Sequence, residues 1–281
     1  PMYTDILVPD LHPGCMHGPL AAARALAANG RGHVHVLVTV DVPAPIPSEW
    51  AGLSNEVYTR LHAEARRRAE ERRDALTAQF ANADVPTDVR IAEAGGLYPQ
   101  AVTTLQARYA DLTVVPTLAA GSPVQDVVHD HFHDLLLNSG GPVLAVPEAC
   151  TPTLPPKRVV VAWKPTREAT RAIRDALPLL RAAESVDVVV IDPRTGEGAH
   201  GDEPGADIAA HLARHGVRVN VVSRPSMNFS VAYALLDHAR AIGADLLVAG
   251  GYGRSRFREL LLGGATRELM QTTHIPVLFA H

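Results

Sequence analysis

The feature that most constrains this chain is an internal repeat. Ala110-Asp111-Leu112 returns as Ala244-Asp245-Leu246, and Pro142-Val143-Leu144 returns as Pro276-Val277-Leu278, each 134 positions later. Near the starts of the two copies the offset is about 153, so the first copy carries some 19 extra residues. A repeat of this length is a whole domain rather than a solenoid unit, and 281 residues divide comfortably into two domains that each bury a core. The boundary is Thr151-Pro-Thr-Leu-Pro-Pro156, a proline-rich linker between residues 1–150 and 157–281.

Within each copy short apolar runs alternate with helix-length segments. Ile6–Pro9, Val34–Val40, Val85–Ala92, Ala110–Val115 and Pro142–Pro147 read as strands of the first copy. Between them lie helix patterns at Leu20–Ala28, Ser54–Ala81, Pro99–Tyr109 and Val124–Asn138, with a proline-rich loop at Val42–Pro47. In the second copy the strands are Arg158–Trp163, Val186–Ile191, Val217–Val222, Asp245–Ala249 and Pro276–Ala280, separated by helices at Arg167–Leu180, Ile208–His215, Phe229–Ile242 and Ala265–Thr272. This alternation predicts an α/β protein of two tandem doubly wound parallel-sheet domains. The last strand is expected at a sheet edge, where it can join the two halves as a pseudo-dimer; homodimers beyond that pairing are left open. The extra residues of the first copy fit its long second helix, where charges of both signs at i,i+4 spacing, such as Glu64 with Arg68, indicate a solvated face that also carries Arg72 and Arg73.

Composition narrows the partners. Apolar residues make up 47% and charged residues 20%, as in a soluble globular protein. A net charge of −4 gives no electrostatic case for nucleic acid or an anionic membrane surface. No apolar run approaches the roughly 20 residues of a membrane span, and the opening segment reads as a strand, so the expected location is the cytoplasm. Cys15 and Cys150 form no metal or redox motif and read as unrelated reduced thiols.

The second copy holds a glycine-rich stretch. After the apolar run Leu246–Ala249 come Gly250, Gly251 and Gly253, then Arg254, Arg256, and the pair Gly263-Gly264 before a helix that includes Ala265 and Thr266. Glycine permits close backbone approach to a ligand, and a helix N-terminus presents free N–H groups to an anion. The same glycines also serve turn geometry alone. Gly250, Gly253 and Gly263, in the spacing Gly, two residues, Gly, nine residues, Gly, resemble the signature of the universal stress protein family, in which that segment wraps an ATP phosphate tail. With the opening Val159-Val-Val-Ala-Trp-Lys-Pro-Thr-Arg-Glu-Ala, the chain is similar to tandem members of that family, whose fold is related to the adenine-nucleotide alpha hydrolases.

The resemblance implies a stress-response protein with an adenine-nucleotide site in the second domain, ATP being the cofactor and any Mg²⁺ arriving with it. In a doubly wound sheet that site lies beyond the carboxyl ends of the first and fourth strands. The residues so placed are Ala162, Trp163 and Lys164, then Ile191, then Ala249, Gly250, Gly253 and Arg254, and finally Gly263, Gly264, Ala265 and Thr266. Two depart from the family pattern: Gly264 stands where a Ser or Thr offers a hydroxyl to phosphate, and Lys164 stands where an Asp meets adenine. Lysine accepts no hydrogen bond but adds a cation suited to phosphate or carboxylate. Trp163 offers either a stacking face or core packing, and Arg254 either a phosphate contact or ordinary loop charge. In the first domain the motif glycines are replaced by Pro116, Ala119, His129 and Asp130, and Leu11 takes the adenine position beside Asp10, so this copy reads as degenerate.

His129-Asp-His-Phe-His-Asp134 is the densest polar cluster; on a helix His129 and His133 share a face, which suits either a metal or a solvated or interdomain surface. His200, His211 and His215 form no informative spacing, and neither Ser122 nor Ser255 sits in a nucleophile motif. Three readings follow: a regulatory nucleotide- or anion-binding protein whose state a protein partner reads, a scaffold of the same fold that binds no nucleotide, and a weak ATP hydrolase or adenylating enzyme.

Overall fold

A computed structural model describes residues 3–40, 55–81, 83–94, 98–117, 119–193, 203–252 and 264–281. The proline-rich loop at Val42–Pro47 lies outside them, as do His200, Gly253, Arg254, Ser255, Arg256 and Gly263.

The first half runs β1 (Asp5–Pro9), α1 (His17–Gly30), β2 (His33–Val40), α2 (Asn55–Phe80), β3 (Thr87–Glu93), α3 (Pro99–Ala107), β4 (Leu112–Thr117), α4 (Gln125–Asn138) and β5 (Val143–Pro147). The second runs β6 (Arg158–Ala162), α5 (Arg167–Ala182), β7 (Ser185–Ile191), α6 (Ala206–Arg214), β8 (Val219–Arg224), α7 (Val231–Ile242), β9 (Leu246–Gly250), α8 (Gly264–Thr272) and β10 (Val277–Ala280). The linker between them contains a cis Leu154–Pro155 bond.

All ten strands form one sheet in the order β3-β2-β1-β4-β5-β10-β9-β6-β7-β8. Within each half neighbours are parallel, and the order reverses direction between β1 and β4 and again between β6 and β9. β10 is an edge strand of its own half, and it is covered: it pairs antiparallel with β5, Leu278 opposite Leu144, so the halves meet about a local two-fold axis. Edge pairing of this kind satisfies two rows of backbone groups that water would otherwise have to solvate.

The repeated Ala-Asp-Leu has a repeated task. Asp111 accepts the backbone N–H groups of Thr4 and Asp5 (2.7 and 3.1 Å), and Asp245 accepts those of Lys157 and Arg158 (both 2.9 Å). Each carboxylate thus ties the start of its fourth strand to the start of its first, which fixes the register at the reversal point.

The core lies in two layers, one on each face of the sheet. Val34, Val36, Leu76, Val161, Ile173, Leu180 and Leu212 belong to the layer under α1, α2, α5 and α6. Leu37, Phe132, Leu135, Leu247, Leu269 and Phe279 belong to the layer under α3, α4, α7 and α8. Both layers run through both halves. Phe132 of α4 and Phe279 of β10 are fully buried and meet edge to face at 5.2 Å across the junction. Tyr3 closes the other side by donating its hydroxyl hydrogen to the Asp175 carbonyl of α5 (2.8 Å).

The long helix α2 carries the expected pairs Arg68–Glu64 and Arg67–Glu71 on its exposed side. Arg72 departs from the solvated face expected for it. It turns inward and grips Asp10 with both Nε and Nη2 (2.7 and 2.9 Å), and the Asp10 side chain is only 4% exposed. The reason is the crossover: α2 packs over β2 and β3, and its inner side passes the carboxyl end of β1, where Asp10 follows the strand. Among the described residues, no helix is long and apolar enough to cross a membrane.

Candidate functional site

The reversal between β6 and β9 opens a crevice at the carboxyl ends of these strands. Ala162 and Ala249 are register partners, so the chain leaving β6 (Trp163, Lys164) and the chain leaving β9 (Gly251, Tyr252) emerge side by side. The Trp163 amide donates to Val189 of β7 (2.9 Å), and its half-buried ring rests against the core layer beneath α5. Lys164 is exposed, and its ammonium has no ion-pair partner among the described residues. Ile191 ends β7, half-buried, and Asp192 follows it in the left-handed region at φ 47°. There the Asp192 carboxylate accepts the Ser226 amide (2.8 Å), which holds its pKa below the usual range.

Two helix N-termini point to this end of the sheet, and they differ. That of α5 is already answered by its own chain: Thr166 Oγ1 caps the Ala169 amide (3.3 Å), and the buried carboxylate of Glu168 sits in the first turn. For the N-terminus of α8 the described residues supply no side-chain cap. Its first residue, Gly264, is exposed, and a Cβ placed there meets nothing within 4 Å among the described residues. Ala265 is half-buried behind it. Thr266 is 5% exposed and its hydroxyl accepts the Tyr252 amide at 3.4 Å, so this side chain ties the beginning of the glycine-rich loop to the helix that follows it.

The glycines have separate physical reasons. A Cβ on Gly250 falls 2.5 Å from the Ala169 nitrogen and 2.7 Å from the Glu168 carbonyl carbon, so β9 and α5 approach so closely that only glycine fits. A Cβ on Gly251 falls 2.5 Å from Leu136 Cδ2, a side chain of α4 in the other half. Tyr252 holds φ 52°, an unusual value for a bulky residue, and is packed against Phe132 and His133 of α4 with ring centroids 6.3 and 5.4 Å away. Burial raises the Tyr252 phenol well above its ordinary value. The candidate loop therefore begins on the seam between the halves.

The equivalent crevice of the first half is built differently. Helix α4 begins at Gln125, five residues before the position that corresponds to Gly264, so His129 and Asp130 lie within the helix and not at its N-terminus. Its floor holds the Asp10–Arg72 pair. Asp10 and Trp163 occupy equivalent places, each donating its amide to the neighbouring strand, to Leu37 and Val189 respectively.

His129 and His133 also face the seam. His133 stacks edge-on to Tyr252, and His129 is held below its usual pKa, first by burial and then by His133 and Arg267, against the opposing pull of Asp130 and Asp126. The described residues bring no third ligand to this pair: the group of three or more metal-ligating side chains found among them is Asp5, His33 and His35, at the far end of the sheet. Spacing within the helix suggested His129 and His133, whereas the strand pattern His33-Val-His35 was the overlooked signal.

Residues 156–281, the second half, match the model of the universal stress protein family. The whole chain is also similar in fold to solved structures. It is similar to a universal stress protein from Archaeoglobus fulgidus DSM 4304, with a TM-score of 0.70 at 16% identity, covering 98% of this chain and 97% of that one. It is similar to a putative universal stress protein from Pseudomonas aeruginosa UCBPP-PA14, with a TM-score of 0.55 at 16% identity, over 99% and 93% of the two chains. A functionally unknown protein from Pseudomonas aeruginosa PAO1 gives 0.57 at 16% identity, over 99% and 92%. A comparison with curated proteins finds no match. At 16% identity the likeness to solved structures is one of fold, and it spans both the half that matches the family model and the half before it.

Proposed function

We propose that this is a stress-response protein whose second domain binds an adenine nucleotide, ATP or a chemically similar anion, and that the bound state regulates a protein partner rather than driving catalysis. The observation that carries the reading is the pairing, across one crevice, of Lys164, exposed and without an ion-pair partner among the described residues, with the N-terminus of α8 at the exposed Gly264. A phosphate tail would take the free N–H groups of α8 and the positive end of its dipole, with Lys164 as a countercharge on the opposite wall. Gly253, Arg254 and Gly263 complete the loop of the family signature. Ala162, Ile191 and Ala249 line the base of the crevice, and Trp163 supports it from the core.

The family motif supports the stress-response role. A regulatory reading follows from the start of the loop: Gly251 and Tyr252 lean on α4 of the other half, so a nucleotide held beside them would be felt at the interdomain seam. The first domain, with Asp10 and Arg72 paired in its crevice and α4 extended through the phosphate position, serves structure and partner contact.

Calorimetric titration of ligand-free protein with ATP tests the proposal. One site per chain is expected, and Gly253→Asp is expected to abolish it by placing a carboxylate where the phosphates lie, while circular dichroism stays unchanged. No heat with the parent protein, or equal affinity in the variant, would favour a scaffold that binds no nucleotide.

A further inference from the structure

At the amino ends of the first three strands, opposite to the nucleotide crevice, a second polar group is assembled. His33 and His35 alternate with Val34 on β2 and therefore share one face. The parallel register sets Asp5 of β1 against His33 and Asp88 of β3 against His35. One ligand atom from each of Asp5, His33 and His35 lies within 4.8 Å of the others.

The hydrogen bonding gives the group its direction. His35 Nδ1 is 2.5 Å from Asp88 Oδ1, and its Nε2 is 3.2 Å from Asp5 Oδ1. A neutral imidazole has one N–H to give. An imidazolium would donate to both carboxylates; with a neutral ring and its hydrogen on Nδ1, held by Asp88, the Nε2 lone pair and the Asp5 oxygen stand 3.2 Å apart, the spacing of two ligands on one ion. Asp88 then has the role of the carboxylate that orients a metal-binding histidine from behind. Its other oxygen is taken by Arg90 Nε (2.5 Å), which leaves Asp88 an orienting group and not a ligand. The ring of His33 lies 4.3 Å from that of His35, and its Nδ1, although 3.4 Å from Asp88 Oδ1, is enclosed without a hydrogen bond.

The second half supplies an internal control. By strand register the positions of Asp5, His33, His35 and Asp88 are held there by Arg158, Ser185, Asp187 and Asn220. Asp187 is satisfied by Asn220 Nδ2 (3.2 Å) and His238 Nε2 (2.9 Å), and Arg158 donates from Nε to the Gly243 carbonyl (3.0 Å). The fold therefore builds this corner without a histidine pair, and the Asp-His-His set is particular to the first half.

We propose that Asp5, His33 and His35 bind a divalent transition-metal ion, with Asp88 holding His35 in the ligating tautomer. Two imidazoles and a carboxylate suit Zn²⁺, Co²⁺ or Ni²⁺ and leave a fourth position for water. Bonds of about 2.0–2.1 Å place tetrahedral ligand atoms about 3.4 Å apart, so donors within 4.8 Å of one another close on an ion by side-chain rotation alone. The Asp5 and His33 side chains are 45% and 36% exposed, which gives an ion a path of entry.

Equilibrium dialysis of the full, untagged chain against Zn²⁺, with Co²⁺ absorption as a second readout, tests the site. One ion per chain is expected, with the tetrahedral Co²⁺ bands. His33→Gln is expected to weaken binding at least tenfold, and since no hydrogen bond is described for the His33 side chain this variant keeps the fold even where His35→Gln does not. The His129→Gln/His133→Gln double variant is expected to bind as the parent does. Zinc stoichiometry and affinity unchanged in His33→Gln, loss in the double variant instead, or no binding by the parent at micromolar Zn²⁺ would each overturn the assignment; in the last case His35 acts only as a bridge between two carboxylates.

Discussion

Replacing Gly250 by alanine separates the structural task of the loop glycines from their task at a ligand. The new Cβ would lie 2.5 Å from the Ala169 nitrogen, 2.7 Å from the Glu168 carbonyl carbon and 3.0 Å from the Ala169 Cα, where ordinary contact begins at 3.4 Å. All three are backbone atoms in the first turn of α5, so no side chain can rotate away. The shortfall of about 0.9 Å must be met by lifting α5 from β9. That helix buries Ala169, Ala172, Ile173 and Ala176 against the sheet, and a gap of this size forfeits a quarter to a half of each dispersion contact. We expect a loss of about 3 kcal/mol, read as a lower urea midpoint at unchanged slope, and roughly 6–12 °C in Tm for a chain of this size. Gly264→Ala is the matched control: its Cβ meets nothing within 4 Å among the described residues, and the change is expected to be neutral or to stabilise by up to about 1 kcal/mol through helix propensity. Stability of Gly250→Ala within about 0.5 kcal/mol of the parent, or equal to that of Gly264→Ala, would refute the close-approach reasoning.

Gly264→Ser restores a hydroxyl at the N-terminus of α8 and is expected to tighten ATP binding about fivefold, the worth of one added hydrogen bond, by calorimetry. Asp245→Ala removes the acceptor of the Lys157 and Arg158 amides and is expected to cost about 1–3 kcal/mol in urea unfolding, with Asp245→Asn losing less because one oxygen remains. Arg72→Met leaves the buried Asp10 unpaired and is expected to cost about 3 kcal/mol. His129, whose pKa burial lowers from its ordinary 6.5, is kept neutral in the fold, so stability is complete above that pH and falls as acidification lets the unfolded chain take up the proton first. His129→Gln is therefore expected to flatten the loss of stability below pH 6.5 in pH-resolved unfolding curves.

Much of the fold could be read from the repeat, because Ala-Asp-Leu and Pro-Val-Leu mark fourth and fifth strands whose apolar runs are buried on both faces. The antiparallel β5–β10 junction was approached through the expectation that the last strand sits at an edge. Contacts distant in sequence were not legible. Nothing near Gly250 announces that α5 passes within van der Waals distance, and nothing near Arg72 distinguishes the one turn of α2 that meets Asp10 from the turns that face water. Thr266 reads as a candidate phosphate contact, and the sequence does not show that its hydroxyl also accepts the Tyr252 amide, a partner fourteen residues earlier. The His33/His35 pair was hidden for another reason: alternation with valine reads first as a strand, and only the register with Asp5 and Asp88 shows that the polar face is assembled.

The central claim is that the crevice between β6 and β9 holds an adenine nucleotide. Freshly purified protein can be denatured, the released small molecules resolved by chromatography and mass spectrometry, and the stripped chain titrated with ATP. Release of adenine nucleotide, with stripped protein that rebinds one ATP per chain, is the predicted result. Release of none, together with no heat on titration, would contradict the claim and leave the loop glycines with turn geometry and helix packing as their whole purpose.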